Sequence, residues 1–249
     1  MSPPAVVLLH AFPLNSGMWS DQIEALHDRW QVLAPDLTGF GDAGAPDDPS
    51  AYSVEAYADE VAALLRDQGI ERAVVGGLSM GGYVAFSFLR RHREMVAGLV
   101  LADTRAAADT PEVAARRVAQ QGQVTEHGTA ELIETSLDNL LSDDTKQHRP
   151  DVVDRARKLM AQNPPAGVIG ALDAMRRRPD AVDELAGIDV PVLVIVGASD
   201  KTSPPEVATE MAARIPDARL EILPGAGHLS NLEVPEAFNA AVISFLDSL

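Results

Sequence analysis

Residues 73–83 read Ala73-Val74-Val75-Gly76-Gly77-Leu78-Ser79-Met80-Gly81-Gly82-Tyr83. The stretch opens as an apolar run without alternation, the kind that makes a strand buried on both faces. It continues through Gly-x-Ser-x-Gly into a helical pattern over 81–91. For Ser79 to stand exposed at the strand's end, the chain must reverse within one or two residues. Such a turn forces strained dihedrals on the serine and brings the residues two before and two after it together, where side chains would collide. Gly77 and Gly81 occupy those two places. A helix starting near Met80 also aims unpaired N–H groups at the space above the hydroxyl, which suits a developing anion. The reading is a strand–turn–helix with a serine nucleophile at its apex.

Working outward, further short apolar runs lie at 5–9, 31–34, 98–102, 192–196 and 220–223. Helical patterns lie between them near 19–27, 54–67, 205–214 and 235–249. This alternation predicts an α/β fold, a mostly parallel sheet covered by helices and joined by right-handed crossovers. It breaks between Arg105 and Leu185, where no strand is evident. Four or five helical segments are instead punctuated by Gly122, Gly128, Pro150, Pro164–Pro165 and Pro179. The expected organisation is a core of residues 1–104 and 186–249, with residues 105–185 as a helical insertion over one end of the sheet. That insertion carries 11 of the chain's 20 Lys and Arg residues but only 14 of its 37 Asp and Glu. Solvated helix faces with i,i+4 pairs would account for this. The sharper reading has one or two of Arg105, Arg116, Arg117 and Arg176–Arg178 facing the sheet to receive an anionic substrate.

A serine hydroxyl needs a base within hydrogen-bond reach. Of six histidines, His27, His92, His127 and His148 sit in polar surroundings and read as surface residues. His10 ends the first strand and is expected to shape the following loop by hydrogen bonding. His228 lies in Pro224-Gly225-Ala226-Gly227-His228, just after the last strand, in a glycine-rich loop able to carry the imidazole over the sheet edge. The base in turn needs a carboxylate on its far nitrogen. Asp200 leaves the strand over 192–196 at the same edge; Asp103, after 98–102, is the alternative. Two oxyanion donors are expected, the backbone N–H groups of Met80 and of Phe12, because Pro13 has none. Phe12, Trp19, Phe40 and Met80 are candidate substrate-binding walls, a place that core packing would explain equally well.

Composition narrows the function classes. With 249 residues, 46% hydrophobic and 23% charged, the chain is globular in type. A net charge of −17 repels phosphate backbones and anionic lipid, so neither nucleic-acid nor membrane partners are expected. Cys is absent, which excludes disulfide and thiolate chemistry. No apolar run approaches the ~18 residues of a bilayer span. The stretch 1–14 lacks the basic region of a signal peptide, so a cytoplasmic protein is expected. Gly39-Phe40-Gly41 lacks the third glycine of a dinucleotide loop, and no His/Asp/Glu group has metal-ligand spacing. No cofactor and no metal are expected.

Over essentially its whole length the sequence resembles the α/β-hydrolase superfamily. It is most similar to compact bacterial members that include 3-oxoadipate enol-lactonases, carboxylesterases and cofactor-free haloperoxidases or perhydrolases. The matching stretches are Leu8-Leu9-His10-Ala11-Phe12-Pro13-Leu14 with Met18-Trp19, Asp36-Leu37-Thr38-Gly39-Phe40-Gly41, Gly77–Gly82, Gly197–Asp200 and Gly225–His228. Two positions depart from the pattern: Ala11 stands where glycine is commonest, and Thr38 where many relatives carry arginine. The chain order Ser79, Asp200, His228 is the superfamily's. The resemblance implies the α/β-hydrolase fold, with a helical cap inserted after the strand before Asp103. It implies a serine hydrolase that cleaves a small-molecule carboxylic ester or lactone through an acyl-enzyme. Because neutral His228 is the expected base, activity is expected to fall as pH drops through about 6–7. Perhydrolysis or halogenation by the same triad is the alternative within enzymes. A ligand-binding receptor without turnover is the alternative of another class. Epoxide hydrolase and dehalogenase readings are disfavoured, because those relatives place aspartate at the Ser79 position.

Overall fold

In the computed structural model, which describes residues 3–249, the run Ala5–Leu9 forms strand β1 with all five residues buried. The first two positions of the expected 1–104 segment lie outside the described residues. Val7 and Leu9 face one apolar cluster, and Val6 and Leu8 face another. Both faces are thus covered, which is why these runs show no polar alternation. The other strands are β2 (Val32–Leu33), β3 (Ala73–Leu78), β4 (Val96–Ala102), β5 (Val192–Gly197) and β6 (Ala218–Leu223). They form one sheet in the order β2-β1-β3-β4-β5-β6, and every neighbouring pair is parallel. The strand order reverses between β1 and β3. The carboxyl ends of those two strands therefore flank the crevice where open α/β sheets bind ligands.

The helices follow in chain order: α1 (Ser20–Leu26), α2 (Val54–Asp67), α3 (Met80–Arg91), α4 (Pro111–His127), α5 (Ala130–Leu140), α6 (Asp143–His148), α7 (Pro150–Ala161), α8 (Pro165–Arg177), α9 (Pro205–Arg214), α10 (Ser230–Glu233) and α11 (Pro235–Leu246). Tyr57 of α2, Val84 of α3 and Met211 of α9 cover one face of the sheet. Leu26 of α1 and Phe238 and Val242 of α11 cover the other. Among the described residues no helix is long and apolar enough to cross a membrane.

The strands differ from the sequence reading at their ends: β4 begins at Val96 rather than at 98. β2 is only two residues long and half-buried, because it pairs on one side only. β6 begins at Ala218, earlier than its apolar signal, because Arg219 and Glu221 point to solvent from the opposite edge. Gly122 does not interrupt a helix but lies within α4, whereas Gly128, at φ +75°, ends it. Proline opens α4, α7 and α8, where its missing N–H costs no helical bond.

The α4–α8 segment is pinned to the loops after β1 and β2. Asn163 Nδ2 donates to the Pro13 carbonyl at 2.7 Å, and its Oδ1 accepts from the Gly41 N–H at 2.9 Å. A Cβ on Gly167 of α8 would fall 1.7 Å from the Gly39 carbonyl oxygen, so only glycine permits that approach.

Candidate active site

Ser79 sits between the end of β3 and the start of α3 with φ +54° and ψ −110°, a conformation rare for an L-residue. The turn closes only because of its flanking glycines. A Cβ on Gly77 would lie 2.1 Å from the Gly81 carbonyl oxygen, and one on Gly81 would lie 2.1 Å from that of Leu9. Neighbouring elements hold the strained residue in place. The Ser79 N–H donates to the Ala102 carbonyl at 2.9 Å, and Thr104 Oγ1 donates to the Ser79 carbonyl at 2.8 Å.

The loop after β6 brings His228 to the serine, with Nε2 2.8 Å from Ser79 Oγ. The other ring nitrogen, Nδ1, is 2.7 Å from Asp200 Oδ2 at the end of β5. A carboxylate only accepts, so Nδ1 carries the proton and the free Nε2 lone pair accepts from the serine hydroxyl. The second Asp200 oxygen accepts from the N–H groups of Thr202 and Ser203 at 2.7 and 2.8 Å. Burial disfavours a charge on either partner. The Asp200 carboxylate nevertheless overcomes burial and holds the His228 pKa above the ordinary histidine value. His228 and the two N–H donors in turn hold Asp200 below the usual carboxylate range.

Asp103, the alternative acid, makes no hydrogen bond to His228 among the described residues. It is buried at φ +46°, accepting from the Gly197 N–H at 2.8 Å and from the Ser230 hydroxyl at 2.5 Å. Burial first, and the Asp200 charge second, push its carboxyl up to about 8.

His10 lies beneath the loop that carries Phe12. Its Nδ1 donates to the Ala11 carbonyl and its Nε2 accepts from the Leu37 N–H, both at 3.1 Å. Burial lowers its pKa to about 4, so the ring is neutral at ordinary pH. Thr38 turns its hydroxyl to Glu60 at 2.9 Å. Among the described residues, neither the Phe12 N–H nor the Met80 N–H has a protein acceptor.

A cavity of 350 Å³ opens above these groups. Phe12, Ser79, Tyr83 and His228 line it from the sheet side. Val113, Arg116, Arg117 and Gln120 of α4 and Thr135, Ser136, Asn139 and Leu140 of α5 line it from above. Three of the four expected wall residues are not part of this lining. Trp19 is 1% exposed and packs on Phe238, with ring centroids 5.9 Å apart. Phe40 is buried between His10 and Phe12, and the Met80 side chain lies in the core. Large apolar side chains at loop bases fill the space under the site, leaving Phe12 as the one that faces the cavity. Of the four histidines read as surface residues, His27, His127 and His148 are exposed. His92 is half-buried, with Nε2 2.8 Å from Asp59.

The sequence reading missed Tyr83, Glu233 and the α5 residues. Tyr83 lies one helical turn beyond Ser79, a spacing that carried the signal. Glu233 is 3% exposed; it accepts from the N–H groups of Gly227 and Ser142, each at 2.9 Å. The His228 N–H itself donates to the Leu140 carbonyl of α5 at 2.8 Å. These ties join chain segments far apart in sequence, and nothing local announces them. Among the described residues no group of three or more His, Asp and Glu side chains could hold a metal ion.

Comparison with known proteins places the chain among alpha/beta hydrolases. A family model described as alpha/beta hydrolase fold matches residues 4–235. The chain is 30% identical over 243 residues to 3-oxoadipate enol-lactonase 2 of Acinetobacter baylyi, covering 96% of this chain and 87% of that one. It is 32% identical over 255 residues to a pimeloyl-(acyl-carrier protein) methyl ester esterase of Neisseria meningitidis, covering 98% and 94%. Among solved structures, a thermophilic esterase from Thermogutta terrifontis superposes with a TM-score of 0.95 at 39% identity, over 99% of this chain and 90% of that one.

Proposed function

The chain belongs to the alpha/beta hydrolase fold family, and from that premise we propose that it is a serine hydrolase that cleaves a carboxylic ester or lactone through an acyl-enzyme on Ser79. One observation carries the reading: the unbroken hydrogen-bond chain from Ser79 Oγ through both ring nitrogens of His228 to Asp200. In this proposal Ser79 Oγ attacks the substrate carbonyl as its proton passes to His228 Nε2, and Asp200 stabilises the imidazolium. The carbonyl oxygen becomes an anion facing the N–H groups of Phe12 and Met80, which have no protein acceptor to give up. Collapse of the tetrahedral intermediate expels an alkoxide, which takes the Nε2 proton. In a lactone that alkoxide stays tethered to the acyl group. His228 Nε2 then takes a proton from water, whose oxygen attacks the acyl carbon, and that proton passes to the Ser79 oxygen as it is displaced. Residues 105–185 act in this scheme as a cap over a hydrolase core of residues 1–104 and 186–249; the α4 and α5 side chains lining the cavity support that role.

The test is Ser79→Ala, assayed on p-nitrophenyl butyrate with circular dichroism as a check of the fold. Turnover should fall by roughly 10⁴-fold or more with the spectrum unchanged. A folded variant that retains wild-type turnover overturns the reading. Repeated turnover by the wild type separates the enzyme from a ligand-binding receptor, and peracid formation from acetate and hydrogen peroxide would mark a perhydrolase.

A further inference from the structure

Four cationic side chains line the cavity above Ser79, namely Arg105, Arg116, Arg117 and Lys201, against one carboxylate, Asp109. This stands out in a chain with a net charge of −17. The single carboxylate is already committed. Asp109 accepts from Arg117 Nε at 2.5 Å and from Arg178 Nη1 at 2.6 Å, and the buried Arg178 guanidinium stacks 3.9 Å over the Tyr83 ring. Lys201 is also matched, with Nζ 2.9 Å from Asp143.

That leaves Arg105 and Arg116. Among the described residues no carboxylate lies within ion-pair distance of either. Arg116 is exposed at the mouth, where water solvates a lone guanidinium readily. Arg105 is different. It is half-buried, it leaves β4 two residues after Asp103, and its hydrogen bond to the Thr202 carbonyl supplies no counter-charge. Its charge also reaches His228, where it opposes protonation of the ring. A guanidinium presents five N–H donors in a planar fork that matches a carboxylate. A guanidinium held half out of water, with only a neutral carbonyl beside it, has donors and charge suited to receiving a carboxylate.

We propose that the preferred substrate is a small ester or lactone bearing a carboxylate, which Arg105 receives while Arg116 draws it in at the mouth. The proposal rests on the serine-hydrolase reading and deepens it. A singly charged carboxylate matches one half-buried guanidinium, and a cavity of 350 Å³ has room beside it for a short chain or a single ring. The Arg117–Asp109–Arg178 cluster is internally neutralised and serves as a rigid wall.

The experiment compares two esters with one leaving group, neutral p-nitrophenyl butyrate and the mono-p-nitrophenyl ester of glutarate. The wild type should favour the charged ester in kcat/KM by on the order of 10-fold or more. In Arg105→Gln that preference should collapse by on the order of 10- to 100-fold, chiefly through KM, and Arg105→Lys should restore part of it. Glutarate binding, measured by calorimetry, gives a readout that needs no turnover and should weaken in parallel. A wild type that cleaves the neutral ester as well as the charged one, or a preference and glutarate affinity untouched by Arg105→Gln, overturns the proposal while leaving the hydrolase standing. Glutarate binding without cleavage of either ester would sink the serine-hydrolase reading instead.

Discussion

At Ser79 the backbone is strained, and the strain is held by its surroundings: two glycines that let the turn close, a hydrogen bond to Ala102 and another from Thr104. Two acids then compete for the role behind His228, and their environments separate them. Asp200 is held ionised by two backbone N–H groups and bonds the imidazole directly. Asp103 is buried, raised to about 8, and bonded to Gly197 and Ser230. Asp200→Asn should therefore cost about 10⁴-fold in kcat by presenting the wrong tautomer, whereas Asp103→Asn should cost less than about 10-fold. Steady-state kinetics of the two variants checks this, and the reverse ranking would exchange their roles. In the proposed mechanism His228 works as a base only when neutral, and its folded pKa lies above 6.5. The acid limb of kcat/KM should accordingly fall off as pH drops through a value above the ordinary histidine 6.5; a pH profile locates it.

At the scale of elements, the histidine loop does not stand alone. Its backbone is tied to α5 through Leu140, and Glu233 at the end of α10 bridges Gly227 to Ser142. The same helix α5 lines the cavity, so one wall of the cavity also sets where His228 sits. Glu233→Gln replaces one acceptor with a donor facing a buried N–H. It should destabilise the fold by about 1–3 kcal/mol. It should also lower kcat by on the order of 10-fold with little change in KM, because a small misplacement of the base costs rate more than binding. Denaturant unfolding together with kinetics tests the point; an unchanged kcat in a destabilised variant would make Glu233 structural only. Glu233 shows why this part of the site was not legible. Its sequence neighbours, Leu232 and Val234, mark an ordinary helix end, and its function depends on Ser142, 91 residues away in the chain.

For the whole molecule, buried titratable groups couple stability to pH. His10 is neutral in the fold with a pKa of about 4, against 6.5 when exposed. The unfolded chain therefore binds a proton that the folded chain refuses. Stability from this group is complete above pH 6.5 and is lost as pH falls towards 4, by about 3 kcal/mol. His228 and Asp103, both raised, run the other way. The clean test is thus a difference: the stability gap between wild type and His10→Gln should narrow by about 3 kcal/mol between pH 7 and 4. A constant gap in denaturant titrations would show that His10 is protonated within the fold. By itself, the sequence determined the parallel α/β architecture, because strands buried on both faces are written as unbroken apolar runs. It also determined the Ser79 turn, because only glycine tolerates 2.1 Å approaches, and it marked His228 and its two candidate acids, because short loops at strand ends carry them. Only the tertiary structure decided which acid meets the imidazole, that Trp19 and Phe40 belong to the core, and that Arg105 is left without a counter-ion. Each of those outcomes is set by distances between segments from 28 residues apart, as for Asp200 and His228, to opposite ends of the chain, as for Trp19 and Phe238, and the spacing of residues along one chain holds no record of such distances.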